Sequence, residues 1–317
     1  MADLIPRSTV LPTVAQPAQA RDDAHLVRLW LHGKSANTRA AYEHDVRAFI
    51  DFADVPLPAL TLQHLHDWAN HLAERELAAA TRARKLSAVK SLLTFGHRLG
   101  YLTYNVGAAV RPPKSKDTLA ERILPEDAVH RVLALAEQNA ASQRFVDQRN
   151  AVLVRLFYAS GGRVSELRTL TWQDTQPRDG TTPPTGQLTL FGKGQKTRHV
   201  LLSAATWAVL QVHRGREKTD GFGEAEHPVF RSTAMARSRD SLSRQQIWRV
   251  VKRLAKQAGL PDAVSPHWLR HAHVSHALDR GAPPHLVQQT VGHASLQTTS
   301  RYAHARPDDS SARYLGV

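Results

Sequence analysis

The 317-residue chain has no cysteine, which excludes a disulfide framework, a thiolate metal site and a cysteine nucleophile. It also lacks any apolar run near the roughly 18 residues of a membrane span. Pro6, Arg7, Pro12 and Pro17 interrupt the start of the chain where a signal peptide needs an unbroken apolar stretch. Acidic residues are few: 28 Asp and Glu stand against 42 Lys and Arg, a formal net charge of +14 with neutral histidine. No amphipathic anchor or lipidation signal directs that charge to a membrane, so the partner it implies is nucleic acid. These absences together predict a cytoplasmic, nucleoid-associated protein.

At roughly 100 to 200 residues per domain the length implies two domains. Residues 1–21 are rich in Ala, Pro, Thr and Gln without helical period, and read as a disordered arm. Over 22–110 apolar residues recur at spacings of three and four: Leu26, Leu29 and Trp30, then Tyr42, Val46, Phe49 and Ile50, then Leu65, Trp68, Ala69 and Leu72. Short polar breaks separate these stretches and predict a small helical bundle. Its last helix, expected from Thr81 to Arg98, sets Leu86, Val89, Leu92 and Leu93 on one side and carries Arg82, Arg84, Lys85 and Lys90, with no acidic residue from Thr81 to Gly100. Solvated faces gain i,i+4 pairs by mixing both signs, so a face of one sign points to phosphate contacts.

Prolines and lysines in Arg111-Pro112-Pro113-Lys114-Ser115-Lys116 stiffen and charge the chain, which places a basic linker at 111–121 and a second domain at 122–317. There Pro125-Glu126-Asp127 starts a helix carrying Val129, Val132, Leu133 and Leu135, and Val152, Leu153, Leu156 and Phe157 lead into Gly161-Gly162. Residues 187–191 and 198–202 alternate like strands around Gly192-Lys193-Gly194, predicting a β-hairpin with a basic tip. Ser243 caps a helix with Ile247, Val250, Val251 and Leu254 inside and Gly259 at its end. Its other face carries Arg244, Arg249, Lys252 and Arg253, again without an acid. Two such helices in two domains point to one shared polyanion. The fold class expected is mostly α with a small β-sheet: a helical N-terminal domain followed by an α+β domain.

Four pieces of the second domain carry reactive residues. In Gly161-Gly162-Arg163-Val164-Ser165-Glu166 an arginine opens a helical pattern, free to pair with Glu166 or to hold an anion. Lys193 sits between glycines at the hairpin tip, where backbone can approach a ligand and a lysine can deliver charge or a proton; Lys196 competes for that role. In Ser265-Pro266-His267-Trp268-Leu269-Arg270-His271, His267 and Arg270 lie three apart on one helix face. Zinc is disfavoured there, because Trp268 stands where a metalloprotease needs Glu and no carboxylate ligand is near. The fourth piece runs from Gly292-His293 to Tyr302.

This ordered set, Arg163 in GGRVSEL, Lys193 in GKGQKTR, His267 and Arg270 in SPHWLRHAH, His293 and Tyr302 in VGHASLQTTSRYAH, resembles the tyrosine recombinases, or phage integrase family. SANTRAAYEHDVRAF and ATRARKLSAVKSLLTF resemble the family's helical, SAM-like core-binding domain. The two-domain length is most similar to the Xer branch.

The resemblance implies a site-specific DNA recombinase that cuts and rejoins duplex DNA through a 3′-phosphotyrosyl link to Tyr302, working as a homotetramer, or a heterotetramer with a related recombinase, on two sites. A phenol with a pKa of about 10 is only about one part in a thousand ionised at pH 7, so the tyrosine needs help. By the resemblance, Arg163 and Arg270 clamp the non-bridging oxygens. His267 assists Tyr302 or binds the phosphate, His293 completes the cage, and Lys193 protonates the leaving 5′ oxygen. Glu166 orients its neighbours. Fixed cations take the place of a metal, so no metal or other cofactor is expected. His271, His273, His276, His285 and His304 carry no role in the family and are expected in packing or at the surface. The 15 residues after Tyr302 form a short version of the segment that family members dock on a neighbouring subunit. Rival readings are a relaxing enzyme of the type IB topoisomerase kind, an architectural DNA-binding protein without chemistry, and a histidine-metal hydrolase.

Overall fold

A computed structural model of the chain describes residues 19–113, 117–192, 196–233 and 240–303. The chain divides into two compact units, Met1–Lys116 and Asp117–Val317.

Among the described residues the first unit contains four α-helices, α1 (Asp23–Leu31), α2 (Ala36–Ala53), α3 (Leu62–Glu74) and α4 (Ala79–Arg98). Asp22 starts α1 by accepting from the His25 amide at 2.7 Å. Asp54 ends α2 in the left-handed conformation, φ 50°. Most of the periodic apolar residues close into one core: Leu26, Trp30, Val46, Phe49, Leu65, Trp68, Leu72, Leu86, Val89, Leu92 and Leu93 are buried, whereas Leu29, Tyr42, Ile50 and Ala69 line its edge. The Asp23 carboxylate ties the ends of the bundle, accepting from the Leu57 amide at 2.9 Å and the Tyr101 hydroxyl at 2.7 Å. Ala20 is buried in this same core, so the packed chain begins before the boundary expected at residue 22. The rest of the expected arm, 1–18, lies outside the described residues.

The second unit contains α5 (Glu126–Ala140), α6 (Phe145–Ser160), α7 (Val164–Arg168), strands β1 (Thr175–Arg178), β2 (Thr185–Phe191) and β3 (Thr197–Leu202), then α8 (Ala204–Thr219), α9 (Arg244–Gln257), α10 (Pro266–Asp279), α11 (Pro284–Val291) and α12 (Leu296–Ala303). The sheet is antiparallel in the order β1-β2-β3, and Phe191 opposite Thr197 closes the expected hairpin. The tip, with Lys193, lies outside the described residues, as do 114–116 of the expected linker. Residues 117–121 of that linker belong to this unit, where Leu119 packs against its helices, and 111–113 belong to the first. Strand β1 has no alternating apolar pattern; three of its four residues are exposed and Pro177 sits within it, as an edge strand tolerates.

Alternation along β2 and β3 sends Leu188, Leu190, Val200 and Leu202 into a core shared with Leu153, Leu156, Phe157, Trp172, Ile247, Val251 and Leu269. Trp207 of α8 lies flat on β2 at Gly186, where a Cβ would sit 1.9 Å from its ring. A buried ionic group fixes the end of α8: Arg231 binds Glu217 at 2.5 Å and Asp220 at 2.9 Å, with Phe145 and Phe222 stacked over it at 4.2 and 4.1 Å. A smaller cluster, Val274, Val287, Val291 and Tyr302, seats α12 on α10 and α11.

Candidate active site

Two reversals of chain direction build the site. Gly161 ends α6 with φ 56°, and a Cβ there would lie 2.7 Å from Val291 and 2.8 Å from His273. This close turn projects Arg163 from the start of α7. Gly292 ends α11 with φ 66° and brings His293 and then α12 back across α10.

Arg163 and Arg270 are anchored on adjacent carbonyls of that second turn. Arg163 Nη2 donates to Gly292 O at 2.9 Å, and Arg270 Nη2 to Val291 O at 2.6 Å; Arg270 Nη1 also donates to Gly161 O at 2.5 Å. Arg270 is 2% exposed, and burial followed by the charge of Arg163 lowers its pKa to about 10, so it stays cationic near neutrality. A guanidinium has five N–H donors. Each arginine commits two or fewer of its terminal N–H groups to backbone carbonyls, which leaves further donors for an anion.

Glu166, 2% exposed, accepts from the Arg163 amide at 2.7 Å, from Arg163 Nη1 at 2.8 Å, and from Arg198 Nη1 and Nη2 at 2.8 and 2.7 Å. Burial alone raises a carboxyl pKa, yet the bonds from Arg198 and Arg163 outweigh it and hold Glu166 at about 2. Arg198 also donates to Thr290 O at 2.7 Å. One carboxylate therefore joins strand β3, the arginine at the head of α7 and the end of α11. Arg198 is absent from the residues expected of the site, although it shares the inward face of β3 with Val200 and Leu202. A charged side chain at an inward strand position is the signal that was available.

Tyr302, 4% exposed, packs under these groups. His293 stacks on its ring with centroids 6.0 Å apart and is held by Thr299 through Nδ1 at 2.9 Å. The hydroxyl of Tyr302 meets Nδ1 of His271 at 2.6 Å. This corrects the expectation that His271 only packs or faces solvent: it lies on the same helix face as His267 and Arg270, whose i and i+3 spacing to one another extends to it at i+4. His267 stands edge-on to His271 at 4.4 Å and makes no hydrogen bond to Tyr302 among the described residues. His273 and His276 do pack, on Tyr158 and Leu124. His285 is exposed, and His304 lies outside the described residues.

The electrostatics follow from crowding cations and imidazoles together. Burial, then His267, Arg122, Arg270 and His293, push the His271 pKa down to about 3. Burial, then Arg270, Arg163 and His267, push His293 down to about 4, and burial with the same two arginines lowers His267. Burial raises the Tyr302 pKa against the opposing pull of Arg270 and Arg301. The site is thus cationic and holds neutral imidazoles beside a protonated phenol. No three His, Asp or Glu side chains converge as metal ligands among the described residues.

The residues expected to meet DNA differ in their surroundings. On α4, Arg84 and Lys85 both bind the buried Asp45 of α2, Lys85 at 3.1 Å, and Lys90 donates to Val110 O. Arg82 is half-buried. The acid missing from α4 is supplied by a neighbouring helix. On α9, Arg244, Arg249 and Arg253 are exposed, Lys252 lies 5.1 Å over Trp248, and none of the four forms an ion pair among the described residues. Trp248 is 47% exposed.

Residues 122–308 match the phage integrase family, and residues 23–99 match the family's N-terminal SAM-like domain. The chain is 30% identical over 289 residues to a tyrosine recombinase XerD of Bifidobacterium longum, covering 89% of this chain and 91% of that protein. It is 34% identical over 317 residues to a XerD of Agrobacterium fabrum, covering 91% and 92%. The fold is that of XerH site-specific recombinase in a post-cleavage complex with a palindromic difH substrate, with a TM-score of 0.72 at 18% identity over 93% of this chain and 85% of that one. On the family match and these relatives, the chain belongs to the phage integrase family of tyrosine recombinases.

Proposed function

We propose that Tyr302 is the nucleophile of this site-specific recombinase and that Arg163, Arg270, His267 and His293 form the cage for the scissile phosphate of double-stranded DNA. The observation that carries this reading is the anchoring of two arginines on the consecutive carbonyls of Val291 and Gly292, which lead directly into the helix bearing Tyr302. Planar guanidiniums with donors to spare match the non-bridging oxygens and oppose the charge of a pentavalent phosphorus. Glu166 and Arg198 hold Arg163 in place. Lys193 protonates the departing 5′ oxygen. The phosphotyrosyl bond conserves the energy of the phosphodiester, so a second strand's 5′ hydroxyl reverses the step without ATP.

The N-terminal unit, packed from Ala20 onward, is the core-binding domain, the unit from Asp117 is the catalytic domain, and the working form is a tetramer on two DNA sites. The basic face of α9, including Arg244, Arg249, Lys252 and Arg253, meets the duplex, and Arg82, Arg84, Lys85 and Lys90 of α4 meet it from the other domain. The Xer-like relatives support a role in resolving chromosome or plasmid dimers.

The test is to incubate the protein with sheared genomic DNA in EDTA, denature it, and sequence the ends of protein-linked fragments, with Tyr302→Phe as control. Adducts at a few shared sequences from the native protein alone are expected. Scattered adducts would favour a relaxing enzyme, and equal recovery from Tyr302→Phe would exclude Tyr302 as nucleophile.

A further inference from the structure

Among the described residues His293 and His271 pack against the Tyr302 ring, His267 stands behind His271, and His271 alone hydrogen-bonds the phenol. His293 covers the face of the ring and has its Nδ1 on Thr299. His267 is turned edge-on against His271. His271 Nδ1 lies 2.6 Å from the Tyr302 oxygen, with the residue 7% exposed and the tyrosine 4% exposed, so solvent scarcely competes for that contact. A base must lie within hydrogen-bond reach of the proton it removes, and His271 does so before any substrate is present.

We infer that His271 is a catalytic residue of this chain, which fixes the Tyr302 phenol through Nδ1 and takes its proton as the phosphotyrosyl bond forms. The inference rests on Tyr302 as the nucleophile. In the step, Tyr302 Oη bonds to phosphorus, the bond from phosphorus to the 5′ oxygen breaks, the phenolic proton passes to His271 Nδ1, and the 5′ oxygen leaves with a proton from Lys193. Rejoining runs the same transfers backward.

The groups facing His271 explain how a base can be kept idle. They are His267 and Arg270 on its own helix, Arg122 ahead of α5, and His293 and Tyr302 from the other side. Burial and these neighbours hold the ring neutral, which leaves a nitrogen free to accept from the phenol. A phosphodiester held by Arg270 and Arg163 offsets the positive charge that depresses the imidazole. His271 therefore gains basicity when substrate occupies the cage, and cleavage is coupled to its arrival.

Two measurements test the assignment. In the DNA-free protein, nitrogen NMR of the imidazoles is expected to show His271 Nδ1 as an unprotonated acceptor whose shift changes in Tyr302→Phe; a ring protonated at Nδ1 would overturn the inference without any cleavage assay. The second uses a nicked duplex carrying a site recovered from native adducts, so absence of native adducts tells against the nucleophile reading rather than against His271. His271→Asn keeps a polar acceptor and cannot carry the proton away. It is expected to bind this duplex as the native protein does, cleave roughly 100-fold more slowly at neutral pH, and speed up about ten-fold per pH unit as the phenol ionises unaided. His271→Ala is expected to recover with added imidazole. A native rate in His271→Asn, or a loss equal at every pH that imidazole leaves unchanged, would overturn the inference.

Discussion

A single carboxylate shows how far one residue's environment governs this site. Glu166 sits where burial opposes its charge, and the hydrogen bonds from Arg198 and Arg163 keep it ionised with a pKa of about 2. Its contribution to stability is complete above the usual carboxyl pKa of 4.5 and is lost as pH falls through about 2. Arg198→Met removes one partner and leaves the buried charge to Arg163 alone. Urea unfolding of that variant is expected to show a loss of about 3 to 5 kcal/mol. Adduct formation is expected to fall with it, because Arg163 loses its brace; unchanged stability would mean that Arg198 contributes nothing to the site. The pairing of Arg163 with Glu166 is legible from their spacing of three. Arg198 comes from 32 residues further along, and only the pairing of β3 with β2 brings it there.

At the scale of elements, two helices of similar composition do different work. Both α4 and α9 read as acid-free basic faces. Asp45 of α2 claims Arg84 and Lys85, so part of the α4 charge balances a buried acid, whereas the arginines of α9 face solvent without ion pairs among the described residues. Replacing Arg249 and Arg253 with alanine is expected to weaken duplex binding and lower the slope of log K against log salt by about 0.9 for each phosphate that is no longer neutralised. Fluorescence anisotropy across a salt series measures this, and an unchanged slope would remove α9 from the interface. Lys85→Ala is expected to act first on stability, lowering the melting temperature by removing one of the two cations on Asp45. Helix periods and caps made α4, α9 and α10 legible in the sequence, with Ser243 accepting from the Gln246 amide as expected of a cap. Strand β1 was not legible, since its residues face solvent and its place is decided by the partner strand β2.

For the whole catalytic unit, the buried histidines set a pH limit. His213 and His273 are lowered to about 4 by burial, as is His293, and His271 to about 3. An unfolded chain binds protons at these rings below the usual value of 6.5 while the folded chain does not, so stability is full above that value and declines as pH falls toward 4 and 3. Hydrogen exchange followed by mass spectrometry is expected to show protection in 117–303 falling steadily from about pH 6.5 downward. Constant protection between neutrality and pH 4 would contradict the burial of these rings.

What the sequence determined by itself is the local and periodic part: helical and strand stretches, the glycines at reversals, the excess of positive charge, and the ordered motifs ending in Tyr302. These are legible because they depend on neighbours within one helical turn or one hairpin. The tertiary structure alone decided which cations face an acid from another helix, that Arg198 braces Glu166, and that His271 rather than His267 meets the Tyr302 hydroxyl. His267 and His271 are both suitably spaced on α10. Only the return of α12 across that helix, after the turn at Gly292, brings the phenol within 2.6 Å of one ring nitrogen and leaves the other imidazole beside it.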